Sequence, residues 1–176
     1  MKVLPATTSK PAEDSRGLSV STQEVERKWL VTEPPNLDGI RGKEVIQGYL
    51  AVSIDGTEVR VRKKADKYFL TTKSDGGLVR REIEVELTKE QYDALWQATA
   101  GRRLEKTRYE IELVGATIEL DIYKGSLNGL IVAEVEFTSA RDAEKFSPPG
   151  WFGREVTEDK RYKNKYLALN GFPTNG

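Results

Sequence analysis

Cysteine and histidine are both absent from the 176 residues. The first absence excludes disulfides and thiolate nucleophiles. Together the two exclude Ser–His and Cys–His triads and every zinc, iron or copper site built on sulfur or imidazole. Any metal must therefore sit on oxygen, which favours Mg²⁺, Mn²⁺ or Ca²⁺. A proton acceptor at neutral pH is left to a carboxylate, a lysine, a tyrosine or a metal-bound hydroxide. A surplus of one charge sign is also missing, since 28 Lys+Arg balance 28 Asp+Glu. Without that surplus there is no long-range field to gather nucleic acid or an anionic membrane, and neither partner is expected. No apolar run approaches the roughly 20 residues that cross a bilayer. The opening M-K-V-L-P-A-T-T-S-K lacks the apolar segment of a secretory signal, so the expected compartment is the cytoplasm.

Charge itself is plentiful: 32% of residues are charged, against roughly 25% in an average soluble domain. Hydrophobic residues at 38% of the chain suffice for a core. Residues 1–20 mix Pro, Ser, Thr, Lys and acids without periodicity and read as a flexible tail, which leaves 21–176 as one domain. Short alternating segments follow, at 22–31, 45–53, 58–64, 68–73, 78–87, 103–113, 117–123 and 130–137. Hairpin signals at Asp55-Gly56, Ala65-Asp66-Lys67, Ser74–Gly77 and Val114–Ala116 make successive strands antiparallel neighbours.

Three helices are expected. Thr88 with Gln91 forms a capping box, and Gly101 marks the stop. Ser139 with Asp142 opens a second helix before Pro148-Pro149. Thr157 caps a third, ending at Asn170-Gly171, with Tyr162, Tyr166 and Leu169 on its packed face. Trp29, Trp96 and Trp151 read as packing residues, and Gly76-Gly77 as a turn. The basic run Lys160–Lys165 reads as a solvated helix face.

Alternate side chains of a strand share a face, so the sequence can be sorted by parity. Glu24, Glu26 and Lys28 oppose Val25 and Trp29, while Glu58, Arg60 and Arg62 oppose Val59 and Val61. Arg80, Glu82, Glu84 and Glu86 oppose Ile83, Val85 and Leu87. The pattern continues with Lys106, Arg108 and Glu110, then Glu119 and Asp121, then Glu134 and Glu136, with Lys73 added from the fourth segment. One such strand is ordinarily a half-exposed one with its charges in water. Here most strands repeat the division, and the signs segregate: Glu pairs lie on the first, fifth and last, Arg or Lys on the third, fourth and sixth. A charged face that curls inward encloses a cavity with acidic and basic walls. Crowded carboxylates raise one another's pKa unless a cation sits between them, and clustered Arg and Lys suit a polyanion. Together they point to a divalent metal and a polyphosphate.

These residues also resemble a known family, the triphosphate tunnel metalloenzymes or CYTH domain superfamily. The resemblance rests on E-V-E-R-K-W-L-V at 24–31, Q-G-Y-L at 47–50, V-R-V-R at 59–62, L-T-T-K at 70–73, R-R-E-I-E at 80–84, K-T-R-Y at 106–109, A-E-V-E-F at 133–137 and E-V-T-E-D-K-R-Y-K-N at 155–164. With P-P-x-W-F-G at 148–153, it is nearest to the short single-domain bacterial members.

The resemblance implies an α+β, mainly β fold: an eight-stranded antiparallel barrel forming a tunnel, with helices outside and a C-terminal helix plugging one mouth. It implies Mg²⁺ or Mn²⁺, a triphosphate substrate and a monomer or homodimer. Glu24, Glu26 and Glu136 would hold the catalytic metal. Glu82, Glu84 and Glu134 would hold a second ion or position the water, and Asp121 is grouped with the metal ligands. Lys28, Arg60, Arg62, Lys73, Lys106 and Arg108 would grip phosphates, with Arg80 beside them. Lys160, Lys163 or Lys165 would reach in from the plug, with Lys160 joining the phosphate-binding residues. Glu26, Glu84 and Lys28 are the expected catalytic residues. The leading function is hydrolysis of inorganic triphosphate to pyrophosphate and phosphate, the base being a tunnel Glu or metal-bound hydroxide. Alternatives are an adenylate cyclase of the same fold, a nucleoside or thiamine triphosphatase, and a non-catalytic polyphosphate-binding module.

Overall fold

A computed structural model describes residues 18–21, 25–73, 82–113 and 116–173. Its strands are β1 (Leu18–Ser21), β2 (Val25–Leu30), β3 (Lys43–Val52), β4 (Glu58–Lys64), β5 (Lys67–Lys73), β6 (Glu82–Leu87), β7 (Arg103–Leu113), β8 (Ala116–Tyr123) and β9 (Ile131–Phe137). They form one sheet in the order β1-β6-β5-β4-β3-β7-β8-β9-β2, every neighbouring pair antiparallel. Helices α1 (Lys89–Trp96), α2 (Ala140–Lys145) and α3 (Asn164–Asn170) punctuate them.

The two edges of the sheet are consecutive in the chain. β1 pairs with β6 and β2 with β9, yet Ser21 and Val25 are four residues apart. Chain geometry holds their Cα atoms within about 14 Å of each other, so the sheet must curl. The described hydrogen bonds do not close the ring; the covalent chain does, and β1 with β2 together stand as the first of eight staves. This revises the tail: Leu18–Ser21 are paired strand, while residues 1–17 lie outside the described residues.

Parity then places two apolar clusters on opposite faces. Outside, Trp29, Val31, Ile118, Leu120, Ala133 and Val135 pack against Phe146, Trp151 and Phe152. α2 covers this face, with Ser139 capping it by accepting from the Asp142 amide. α1, closed by the expected Thr88–Gln91 box, lies over β4 and β5. Its C-terminal turn sits tightly on β3, since a Cβ at Gly48 would stand 2.5 Å from Thr99 Oγ1 and 2.9 Å from the Trp96 ring.

The second cluster lies inside and gathers Tyr49, Leu104, Tyr123, Leu127, Leu130 and Val132 with Tyr162, Leu167 and Ala168 of the C-terminal segment. It fills one end of the barrel beneath α3, which is the plug expected of the last helix. The plug starts later than Thr157, however. Residues 153–157 run along β2, where Gly153 N donates to Leu30 O at 2.8 Å, Leu30 N to Arg154 O at 2.9 Å and Val156 N to Lys28 O at 2.7 Å. The Thr157 hydroxyl accepts from Lys28 N at 3.0 Å and donates to Glu155 at 2.7 Å. A tertiary partner thus takes the oxygen that would have capped a helix, and α3 begins at Asn164, ending as expected before Gly171 at φ 80°. Its packed face is Leu167 and Ala168, with Tyr166 and Leu169 exposed.

Candidate functional site: a charged cup

Inside the curl, the tunnel-parity charges are buried to an unusual degree: Lys28, Glu58, Arg60, Lys106, Arg108, Asp121 and Glu134 are each at most 8% exposed. Exposure rises along several strands away from α3. On β7 it runs from buried Leu104, Lys106 and Arg108 to half-buried Glu110 and exposed Glu112, and on β9 from Val132 and Glu134 to exposed Glu136. β4 runs from buried Glu58 and Arg60 to half-buried Arg62 and Lys64. Among the described residues the interior is shaped as a cup, with α3 and the inner apolar cluster filling one end and exposure rising toward the other.

Opposite charges pair across its walls. Lys28 Nζ lies 2.9 Å from Glu134. Asp121, fully buried, accepts from Arg108 Nε at 2.7 Å, from a second Arg108 nitrogen at 2.6 Å and from Lys106. Arg108 also reaches Glu119, and Glu134 at 3.2 Å. Arg62 donates to Glu84 at 2.6 Å, as does the Thr71 hydroxyl at 2.9 Å. Lys73 meets Glu82 at 2.5 Å, and Arg60 lies 3.7 Å from Glu58 and 3.8 Å from Glu82.

Burial would raise the Glu134 carboxyl, but the charges of Lys28, Lys106 and Arg108 outweigh it and hold the group well below the usual carboxylate range. Burial, with Arg108 adding to it, pushes Lys106 down to about 8 despite Asp121 and Glu134. Arg62 is lowered by burial and by neighbouring Arg60. Such crowding of two guanidiniums on one strand face is costly. In addition, the buried Nε of Arg60 and that of Arg62 find no acceptor among the described residues. Unmet buried N–H donors side by side call for an anion.

Several expected residues fall elsewhere. Glu24 and Arg80 lie outside the described residues. Lys160 is exposed; of the three plug lysines it is Lys165 that bonds Gly56 O at 3.0 Å and sits 3.5 Å from Glu58. Asp121, which the resemblance groups with the metal ligands, here accepts on both oxygens from Lys106 and Arg108. Among the described residues no three carboxylates gather closely enough to hold a metal. Glu26 does face Glu136 in register across β2 and β9, near the mouth. The donor set, all oxygen, suits a hard divalent ion.

Some residues of the cup were not assigned from sequence. Gln47 donates to the Tyr49 hydroxyl at 3.0 Å, both fully buried. Tyr123 donates to Asn164 Oδ1 at 2.6 Å, and Lys106 stands over the Tyr123 ring at 5.3 Å. Their one sequence signal is polar atoms at inward parity.

The CYTH domain matches residues 22–165. The chain belongs to the CYTH family. Among its CYTH relatives, the inorganic triphosphatase of Nitrosomonas europaea is 49% identical over 148 residues, 84% of this chain and 97% of that protein. The inorganic triphosphatase of Acetivibrio thermocellus is 34% identical over 152 residues, 85% of this chain and 96% of that protein. The crystal structure of the inorganic triphosphatase NE1496 superposes with a TM-score of 0.67 at 46% identity, covering 84% of this chain and 95% of that one. The eight-staved antiparallel tunnel is thus the CYTH fold, and CYTH membership implies a divalent metal. No helix among the described residues is long and apolar enough to cross a membrane.

Proposed function

We propose that the cup binds inorganic triphosphate and hydrolyses it to pyrophosphate and phosphate with Mg²⁺ or Mn²⁺. The observation that carries this reading is the pair of buried Arg60 and Arg62 Nε donors lacking an acceptor, in a cavity whose fold is shared with relatives named inorganic triphosphatases. Arg60, Arg62, Lys73, Arg108 and Lys28 bind phosphate oxygens, Arg bidentately and Lys as a point charge. They hold the developing charge of the departing pyrophosphate. Asp121 positions Lys106 and Arg108. Glu26 and Glu136, with Glu24, are the residues we assign to the metal, which when bound neutralises phosphate charge and polarises water. Glu82 and Glu84 orient Lys73 and Arg62.

Glu134, held low by neighbouring cations, is a poor proton acceptor, and a base works best with a pKa near the working pH. Lys106, lowered to about 8, is the cup's best-matched group. The base is Lys106 or a tunnel Glu, and Lys106 as the base predicts a distinct pH profile. The sign follows: below about pH 8 the ammonium has no free pair, so kcat/KM for tripolyphosphate rises with pH through that region and then levels. Lys106→Arg, which stays charged, should lose that rise and about 10²–10⁴ in rate. A pH–rate profile of both proteins checks this, and an unchanged profile in the variant removes Lys106 from the role.

The function itself is tested by phosphate release from tripolyphosphate, ATP, thiamine triphosphate and pyrophosphate with Mg²⁺, Mn²⁺ or EDTA, and by cyclic AMP assay in the ATP reactions. Fast metal-dependent release from tripolyphosphate, abolished by EDTA, is expected. Cyclic AMP from ATP would identify a cyclase, and binding without turnover a sequestering module.

A further inference from the structure

At the cup's open end three tunnel-parity side chains meet that the proposed reaction does not use. Glu110 on β7 receives Lys43 of β3 at 2.5 Å on one carboxylate oxygen and faces Lys64 of β4 at 3.5 Å on the other. The three side chains are 33%, 39% and 30% exposed, so they rim the mouth. They adjoin the buried cations: Lys43 lies beside Arg108 in register, and Lys64 follows Arg62 by two residues on the same face. Exposure grades the cations, from buried Lys106, Arg60 and Arg108 through half-buried Arg62 to Lys43 and Lys64 at the rim, with roughly 13 Å of strand between residues 106 and 110. Asp121 bridges two cations deeper down; at the rim Glu110 bridges two lysines.

We propose that Glu110, by holding Lys43 and Lys64, is a gate that limits the length of the polyphosphate chain the cup accepts. The inference rests on the triphosphate reading and names what ends the substrate. Among the described residues α3 and the inner apolar cluster fill the floor, so a longer chain extends toward the mouth. Its fourth phosphate would arrive where Glu110 repels it and where both lysines are already engaged. The hydrogen bond from Lys43, with Lys64 close by, lowers the Glu110 carboxyl below its ordinary value. In Glu110→Gln the same two lysines are released toward the chain's outer end.

The test is calorimetric binding of tripolyphosphate and tetrapolyphosphate in EDTA, where metal-dependent turnover is silent. The quantity read is the ratio of the two affinities. Glu110→Gln should shift the ratio about five- to tenfold toward tetrapolyphosphate, the size expected for one charge removed at a partly exposed site. Adding Lys43→Met and Lys64→Met to that variant should cancel the shift. Lys43→Met with Lys64→Met in the presence of Glu110 should move the ratio the other way, which keeps the test available should Glu110→Gln fail to fold. Ratios equal to wild type in these variants overturn the gate while leaving triphosphate binding intact. Failure of the wild-type protein to bind either chain overturns the proposed function and the gate with it.

Discussion

Replacing Arg62 with alanine is expected to cut kcat/KM for tripolyphosphate by about a hundred- to a thousandfold while leaving Tm unchanged. Arg62 is held by Glu84 at 2.6 Å, but Thr71 also donates to that carboxylate, so Glu84 keeps a partner. The guanidinium is disfavoured where it stands, by burial and by Arg60 on the same face. Its removal relieves a repulsion and leaves Glu84 the Thr71 hydroxyl as a donor, the pattern of a group kept for an anion at the expense of stability. Steady-state kinetics beside a thermal melt separates the two effects. Normal turnover, or a melt lowered in proportion to the lost activity, would show that Arg62 is a structural residue.

The largest stability change is expected at Asp121. Asp121→Asn keeps the shape and removes the charge that both Lys106 and Arg108 depend on. Breaking a buried ion pair from one side leaves the other uncompensated, at a cost of about 3–5 kcal/mol. Urea unfolding measures it. Where folded variant persists, a second readout distinguishes positioning from packing. Asp121 raises the Lys106 pKa against burial, so its loss should move the alkaline rise in kcat/KM to lower pH. A destabilised protein whose pH profile has not moved would make Asp121 purely structural.

How far the cup was legible in the sequence follows from what period-two patterns encode. Lys28, Arg60, Arg62, Lys106, Arg108 and Glu134 were placed inward because charge alternating with apolar residues marks a face, and each is at least half-buried there. Gln47 and Tyr49 share that parity, but an amide and a phenol do not stand out against apolar neighbours. Asp121 could not be separated from a metal ligand, because its partners come from β7 through a cross-strand register that no local pattern carries. The plug was misjudged at its start for a related reason. Thr157 followed by acids is a sound local cap signal, but the amide of Lys28, far away in sequence, claims the hydroxyl. L-S-V-S at 18–21 alternates too briefly to be told from a tail.

The filled floor imposes an order on traffic. Among the described residues α3, Leu130, Val132 and Tyr123 fill one end of the cup, and the described opening lies at the other. On the proposed reading, a fragment lodged among Lys106, Arg108 and Arg60 would have to pass the rim to leave, and until it did no new chain could descend. The cup would then work as a stack, last in and first out, with the deep cations setting how long each cycle holds the entrance.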